Sequence, residues 1–186
     1  MKVGYGGYMK KVWKKFNESL NELKKTKTIT MCGLLAAIGV LLGKFTIQIG
    51  SYIKIGFSDL PNQIVAYLFG PVVSSFFATI LDVIKLMVNP TGGWIPGLTI
   101  SAYIAGLIYG ISFYKKNITF KRVLVTKLIV VLLVNTILNT FWLAQIYGNG
   151  YLALLPTRVL KNIIMWPIQS ILFWYMYKGL KKAKLF

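Results

Sequence analysis

The feature that most constrains this chain is the alternation of long apolar runs with short blocks of Lys and Arg. Apolar stretches cover residues 29–49, 57–69, 72–88, 98–114, 123–146 and 156–177. Most are long enough for an α-helix to cross a hydrocarbon core of ~30 Å, at ~1.5 Å per residue. The stretch 57–69 reaches only about 20 Å on the same rise, so it is expected to tilt or to be shielded by its neighbours. With 56% hydrophobic and 14% charged residues in 186, and a mean hydropathy of +0.63, the chain is too apolar for an ordinary soluble domain. The reading is an all-α integral membrane bundle of six transmembrane helices.

The net charge of +18 does not point to nucleic acid. A nucleic-acid module interleaves cations with aromatics along one soluble face, whereas here the cations stand in blocks between apolar runs, as the positive-inside rule produces. Eight Lys precede the first run, five cations fall between Lys115 and Lys127, and four Lys follow from Lys178. With six spans these lie on one side, leaving Lys44, Lys54, Lys85, Arg158 and Lys161 toward the other. That places both termini in the cytoplasm of a multi-pass cell-membrane protein. Residues 1–28 then form a basic cytoplasmic segment and 29–186 the six-helix membrane domain. Within the segment, Val12, Trp13, Phe16, Leu20 and Leu23 alternate with lysines at helical spacing, which predicts an amphipathic helix on the anionic inner leaflet. No small-residue cleavage site follows the first apolar run, so that run is expected to remain as an anchor.

Turn chemistry fixes two breaks. Gly70-Pro71 ends the short second run, and the segment from Asn89 to Gly97, with three Gly and two Pro, reads as a loop. Asp59-Leu60-Pro61 reads as the start of the second helix, since proline is tolerated in a first turn.

Polar residues inside such spans are costly, and so they mark function. Asp82, Lys85 and Asn89 stand at i, i+3 and i+7 on the third span, Asn135, Asn139 and Trp142 at i, i+4 and i+7 on the fifth, and Arg158, Asn162, Met165 and Gln169 form a row on the sixth. Asp82 and Lys85 are open to a plainer reading, a pair that neutralises itself. If the three faces converge near the outer surface they form a pocket of amides and cations suited to an anionic ligand, with Arg158 and Lys161 at its basic end and Arg158 able to grip a carboxylate. Trp94 and Trp142 lie beside these faces and are candidates for stacking on a flat ligand. Trp174 and Tyr177 belong to the interfacial belt.

Two small-residue stripes are legible. Gly33 and Ala37, with Gly39 and Gly43, let another helix approach the first span closely, from this chain or from another subunit. Ala102, Gly106 and Gly110 form a second stripe, read as internal packing.

No enzyme is implied. Without histidine, and with the single Cys32, there is neither a His/Cys metal centre nor a general base of the usual kind, so no metal or cofactor is expected. A phosphate-binding Gly-x-x-x-x-Gly-Lys loop is missing as well, which excludes autonomous ATP hydrolysis. A polytopic scaffold whose polar faces bind one another stays open as a reading of these residues.

The order of a small-residue first helix, Asp59-Leu60-Pro61, Leu68-Phe69-Gly70-Pro71, the loop Asn89-Pro90-Thr91-Gly92-Gly93-Trp94-Ile95-Pro96-Gly97 and the stretch Ser101 to Gly110 resembles the substrate-binding (S) components of energy-coupling factor (ECF) vitamin transporters. Leu155-Pro156-Thr157-Arg158 resembles the folate group among them. The resemblance implies a six-helix bundle that captures a vitamin from outside, with Asn89 and Thr91 of the loop at the site. It also implies partnership with a transmembrane coupling subunit, contacted through Gly33 and Ala37, and with two ATPases. For folate it implies that Asp82 or an amide such as Asn139 or Asn162 reads the pterin edge, that Trp94 or Trp142 stacks on the ring, and that Arg158 and Lys161 meet the carboxylates. Thiamine and riboflavin are the competing specificities.

Overall fold

The computed structural model describes residues 5–45, 47–49, 53–88, 94–147 and 150–182, with side chains for all of these except residues 5–11, 47–49, 53–55, 146–147 and 154. Helix α1 covers Tyr5–Leu23 and α2 Thr26–Lys44. Strands β1, Ile47–Ile49, and β2, Ile53–Ile55, pair antiparallel with Gln48 opposite Lys54. Helix α3 covers Leu60–Val88 and α4 Pro96–Phe113. Helix α5, Phe120–Val130, runs through a π-helical stretch, Val131–Leu138, into α6, Asn139–Tyr147, and α7 covers Tyr151–Lys182.

Among the described residues, four helical stretches are long and apolar enough to cross a membrane: Thr26–Lys44, Leu60–Val88, Pro96–Phe113 and Phe120–Gln145. The longer α7 is interrupted by Pro156, Arg158, Lys161, Asn162, Pro167 and Gln169. Ile29, Leu34, Leu132, Ile137, Ile163 and Ile164 are exposed on the outside of the bundle, as lipid-facing side chains are and a water-facing set of this extent is not.

The first apolar run is shorter than its composition implies. The helix ends at Lys44, and Ile47–Ile49 form the first strand of the hairpin. Ile47, Ile49, Ile53 and Ile55 alternate with Gln48 and Lys54, a period of two that favours strands, so a hydropathy window merges them with the helix before them. The all-helical expectation therefore holds for the bundle, with this hairpin added beside it.

Helix α3 is broken where the sequence predicts. Gly70 has φ of 88°, a left-handed conformation suited to glycine, and Pro71 opens the second half. The break is locked from outside: Ser19 of α1 is fully buried, its hydroxyl donates to the Phe69 carbonyl (2.7 Å) and accepts from the Val72 and Val73 amides (3.0 and 3.2 Å). These are two of the orphan amides of a helix start, capped here by a residue some fifty positions earlier. Helix α1 is thus seated on the bundle, with Val12, Lys15, Phe16, Ser19 and Leu23 on the inner face and Trp13 and Leu20 exposed.

The two small-residue stripes separate. A Cβ on Gly110 would lie 2.2 Å from the Pro71 Cα, and one on Gly106 would lie 2.6 Å from the Ser74 carbonyl oxygen. The second stripe is therefore the close approach of α4 to α3, reinforced by the Ser74 hydroxyl donating to the Gly106 carbonyl (2.8 Å). On α2, Gly39 packs on Leu81, while Gly33 and Ala37 face outward and Gly33 has nothing within 4 Å of where a Cβ would stand.

Lys127 departs from the cation count. It is buried inside the bundle, its ammonium donating to the Gln169 carbonyl (2.7 Å) and lying 5.9 Å from the centre of the Phe173 ring. A lysine at the edge of an apolar run carries no sequence signal for which way its long stem turns, and here it contributes nothing to a surface charge block.

Candidate ligand-binding site

Away from the α1 end, α3, α4, the π stretch, α6 and α7 surround a two-lobed cavity. One lobe, of about 300 Å³, is lined by Ser58, Asp59, Asn135, Asn139, Arg158, Lys161, Asn162, Met165 and Gln169. The other, of about 220 Å³, has Leu81, Leu98, Ala102, Ala105 and Tyr109 for its apolar walls and Asn62, Asp82, Lys85 and Ser101 as polar groups. Asp59, Asn135, Asn139 and Gln169 line both lobes. Mostly formed concavities with a few convergent polar groups are the usual form of a small-molecule site.

The polar rows assemble as their spacing implies. Arg158, Asn162, Met165 and Gln169 all line the first lobe. Asn162 donates to Thr136 (2.9 Å), which fixes α7 against the π stretch, and the Gln169 amide donates to the Gly56 carbonyl (3.3 Å), which ties α7 to the segment after the hairpin. Asn139 donates to Asn135 (3.4 Å).

Trp142 leaves its row. Its ring lies against Gly97, so close that a Cβ there would stand 2.1 Å from the ring, and it is not among the cavity-lining residues. The π stretch explains this. Its hydrogen bonds skip one more residue than those of an α-helix, as the Asn139 amide does in reaching the Val134 carbonyl. Each residue then turns less about the axis, and α6 emerges rotated relative to an unbroken helix. Extended π-type winding is uncommon and is often found at functional sites.

Asp82 and Lys85 do not form a pair with each other. Asp82 accepts from the Thr99 hydroxyl (2.9 Å), which accepts in turn from the Trp94 indole (3.2 Å). Lys85 instead reaches the Ser58 hydroxyl (2.9 Å) and carbonyl (3.2 Å), with Asp59 at 3.8 Å. These two short networks hold the loop segments at the mouth. Trp94 remains 61% exposed and lines neither lobe. Of the ten expected site residues, Asp82, Lys85, Asn139, Arg158, Lys161 and Asn162 line the cavity, Trp94 is tied to it through Thr99, and Trp142 stands behind Gly97. Asn89 and Thr91 lie outside the described residues.

Asp59, Asn62 and Ser101 line the cavity beyond the ten expected residues. Asp59 is marked in the sequence as one of only two acidic residues beyond the N-terminal segment, and Asn62 follows it at i+3 on the same face, the spacing that signals its place. Chemically, the site offers a cationic lobe, a narrow slot with amide, hydroxyl and carboxylate groups, and an amide ridge between them. There is no grouping of Cys, His, Asp or Glu that would hold a metal among the described residues.

Residues 27–177 match the model of the ECF transporter substrate-specific component. The folate transporter FolT of Clostridium novyi (strain NT) is 31% identical over 163 residues, covering 88% of this chain and 95% of the relative. FolT of Leuconostoc mesenteroides is 32% identical over 150 residues, covering 77% and 80%. The crystal structure of FolT bound with folic acid superimposes with a TM-score of 0.75 at 34% identity, covering 82% of this chain and 93% of that one. The chain therefore belongs to the family of ECF-transporter substrate-specific components, the binding part of a transporter and not an enzyme.

Proposed function

We propose that this chain captures folate, or a reduced folate, at the outer side of the cell membrane as the substrate-specific subunit of an ECF-type importer. The observation that carries the reading is the division of the cavity. Folate joins a flat heterocycle with a donor–acceptor edge to a tail bearing two carboxylates, and the cavity joins a slot to a cationic lobe. The heterocycle lies between Leu81, Leu98, Ala102 and Ala105, its edge read by Asp82, Asn62 and Asn139. The tail meets Arg158 and Lys161, a charge-assisted contact of the strong kind. Asn162 and Lys85 hold the lobes in shape, and Trp94 covers the mouth. The names of the relatives support the ligand class.

The chain makes six crossings: α2, each half of α3, α4, α5 through α6, and α7, with both ends and α1 in the cytoplasm and residues 29–186 forming the membrane domain. This is supported by the grouping of α1, Gly70, Tyr114 and Trp174 at one end and of the hairpin, Asp59, Trp94 and Arg158 at the other. The outward Gly33 and Ala37 of α2 meet a transmembrane coupling subunit, to which two ATPases supply the energy that this chain cannot generate.

The test is thermal unfolding of the detergent-purified chain with folate, 5-formyltetrahydrofolate, thiamine and riboflavin in turn. A ligand that binds only the folded state stabilises by RT ln(1 + [L]/Kd), about 2.7 kcal/mol at a hundredfold excess over Kd. Stabilisation by folates alone is the expected result. A response to thiamine or riboflavin instead would overturn the folate assignment, and no response to any of them would favour a scaffold.

A further inference from the structure

At the end of the bundle opposite the cavity, cations from remote parts of the chain meet around one turn. Helix α1, seated there by Ser19, directs the Lys15 ammonium onto the Tyr114 carbonyl (2.6 Å) at the end of α4. The turn that follows carries Lys115 and Lys116, and the first turn of α5 carries Lys121 and Arg122, with Arg122 also donating to the Asn117 carbonyl (2.6 Å). The neighbouring carboxylate, Glu18, is already engaged by Lys115 at 3.0 Å. Among the described residues no carboxylate lies within ion-pair distance of Lys15, Lys116 or Arg122. The start of α5 has no acidic residue, so two cations stand where the helix's own positive pole disfavours them. The crowding is felt: burial first, then Lys116 and Arg122, bring the Lys15 pKa down to about 8, and burial followed by Arg122 lowers that of Lys116.

The surroundings are those of a membrane surface. Phe120 lies 6.0 Å from Trp174, and the Lys178 ammonium lies 5.0 Å from the centre of the Trp174 ring, an aromatic and basic rim of the kind found at headgroup level. From Arg122 the same face of α5 continues through Val125 and Ile129, both exposed, at i+3 and i+7. A phosphate held by the cations would therefore have an apolar track beneath it for an acyl chain, which a soluble phosphate would not use.

We propose that Lys15, Lys116 and Arg122 form a site for the phosphate of an anionic phospholipid of the inner leaflet, whose acyl chain lies along Val125 and Ile129 and which bridges α1 to the turn between α4 and α5. This inference is independent of what the outer cavity binds. Lys15 also secures α1, so the variant of choice is Lys116→Gln with Arg122→Gln. The full-length chain in neutral detergent is titrated with short-chain phosphatidylglycerol, phosphatidylcholine or inorganic phosphate, with the unfolding temperature as readout. Far-UV circular dichroism checks that the variant is folded, and Lys116→Arg is the charge-keeping control.

Phosphatidylglycerol is expected to raise the unfolding temperature above the phosphatidylcholine value, less so at high salt. The double variant should bind it roughly thirtyfold more weakly at low salt, from the ~1 kcal/mol that each cation contributes near an anionic surface. Lys116→Arg should behave as the parent. Equal responses to the two lipids, or a double variant that keeps the full difference, would overturn the site. Inorganic phosphate matching phosphatidylglycerol would overturn the lipid assignment in favour of a soluble anion.

Discussion

At the α1 end of the bundle, the Ser19 hydroxyl makes three hydrogen bonds across the break in α3, and the Ser74 hydroxyl joins the Gly70 and Gly106 carbonyls. At the cavity end, Asn62 Oδ1 and Asn139 Oδ1 are buried without a protein partner, as are both amide atoms of nearby Gln63. Both ends bury polar atoms in an apolar bundle, where an unmet hydrogen bond costs about 1–3 kcal/mol. One end meets that demand within the chain. The other leaves part of that demand unmet within the chain, as the proposed ligand site there requires. A substrate-binding subunit needs both, a closed end that fixes the helices and an open end whose groups are positioned before the ligand arrives.

The comparison can be broken most severely at Gly110. Gly110→Val places side-chain atoms into the Pro71 backbone, which cannot give way as a flexible side chain would. The folded chain should be lost or its unfolding temperature sharply lowered, beyond the 1–3 kcal/mol typical of overpacking; yield and monodispersity after purification would show it. Arg158→Ala should act at the other end. It should weaken folate binding about ten- to a hundredfold, in line with the 1.5–3 kcal/mol of a charged hydrogen bond; titration calorimetry would measure it.

Ser19→Ala sharpens the contrast. It strips the cap from Val72 and Val73 and should lower stability by about 1–3 kcal/mol. Folate affinity should stay close to the parent value, because none of the described side chains of α1 lines either lobe. A large loss of affinity would mean that the two ends are coupled. The smallest effect is expected for Trp94→Phe, which removes one exposed hydrogen bond to Thr99 and keeps an aromatic cover; affinity should change only about threefold, within the ~0.5–1.5 kcal/mol of a single neutral hydrogen bond.

Much of this arrangement is legible in the sequence, because the bilayer imposes long apolar helices and because rows of Asn, Arg and Gln are conspicuous against them. The stripe Ala102, Gly106, Gly110, the break at Gly70-Pro71 and the row Arg158 to Gln169 were all readable in that way. The hairpin was hidden since its isoleucines are as apolar as the helix they follow. Trp142 was misplaced because a π stretch rotates what comes after it, and Val131–Leu138 carries no residue pattern that announces such winding. Ser19 and Lys127 share a different cause. Their roles are set by partners fifty and forty-two positions away, and local periodicity holds no information about such contacts. Nor does spacing alone tell which small residues on α2, Gly33 and Ala37 or Gly39 and Gly43, meet α3, which the packing of Gly39 on Leu81 decides.

Hydrogen–deuterium exchange of the detergent-purified chain with and without saturating folate separates the two ends. Folate should slow exchange in residues 56–62, 98–105, 131–139 and 158–169 and leave residues 12–23 and 69–75 unchanged. Protection concentrated in α1 and around Gly70, or spread evenly over the chain with none favoured at the cavity, would contradict a ligand site at the cavity end.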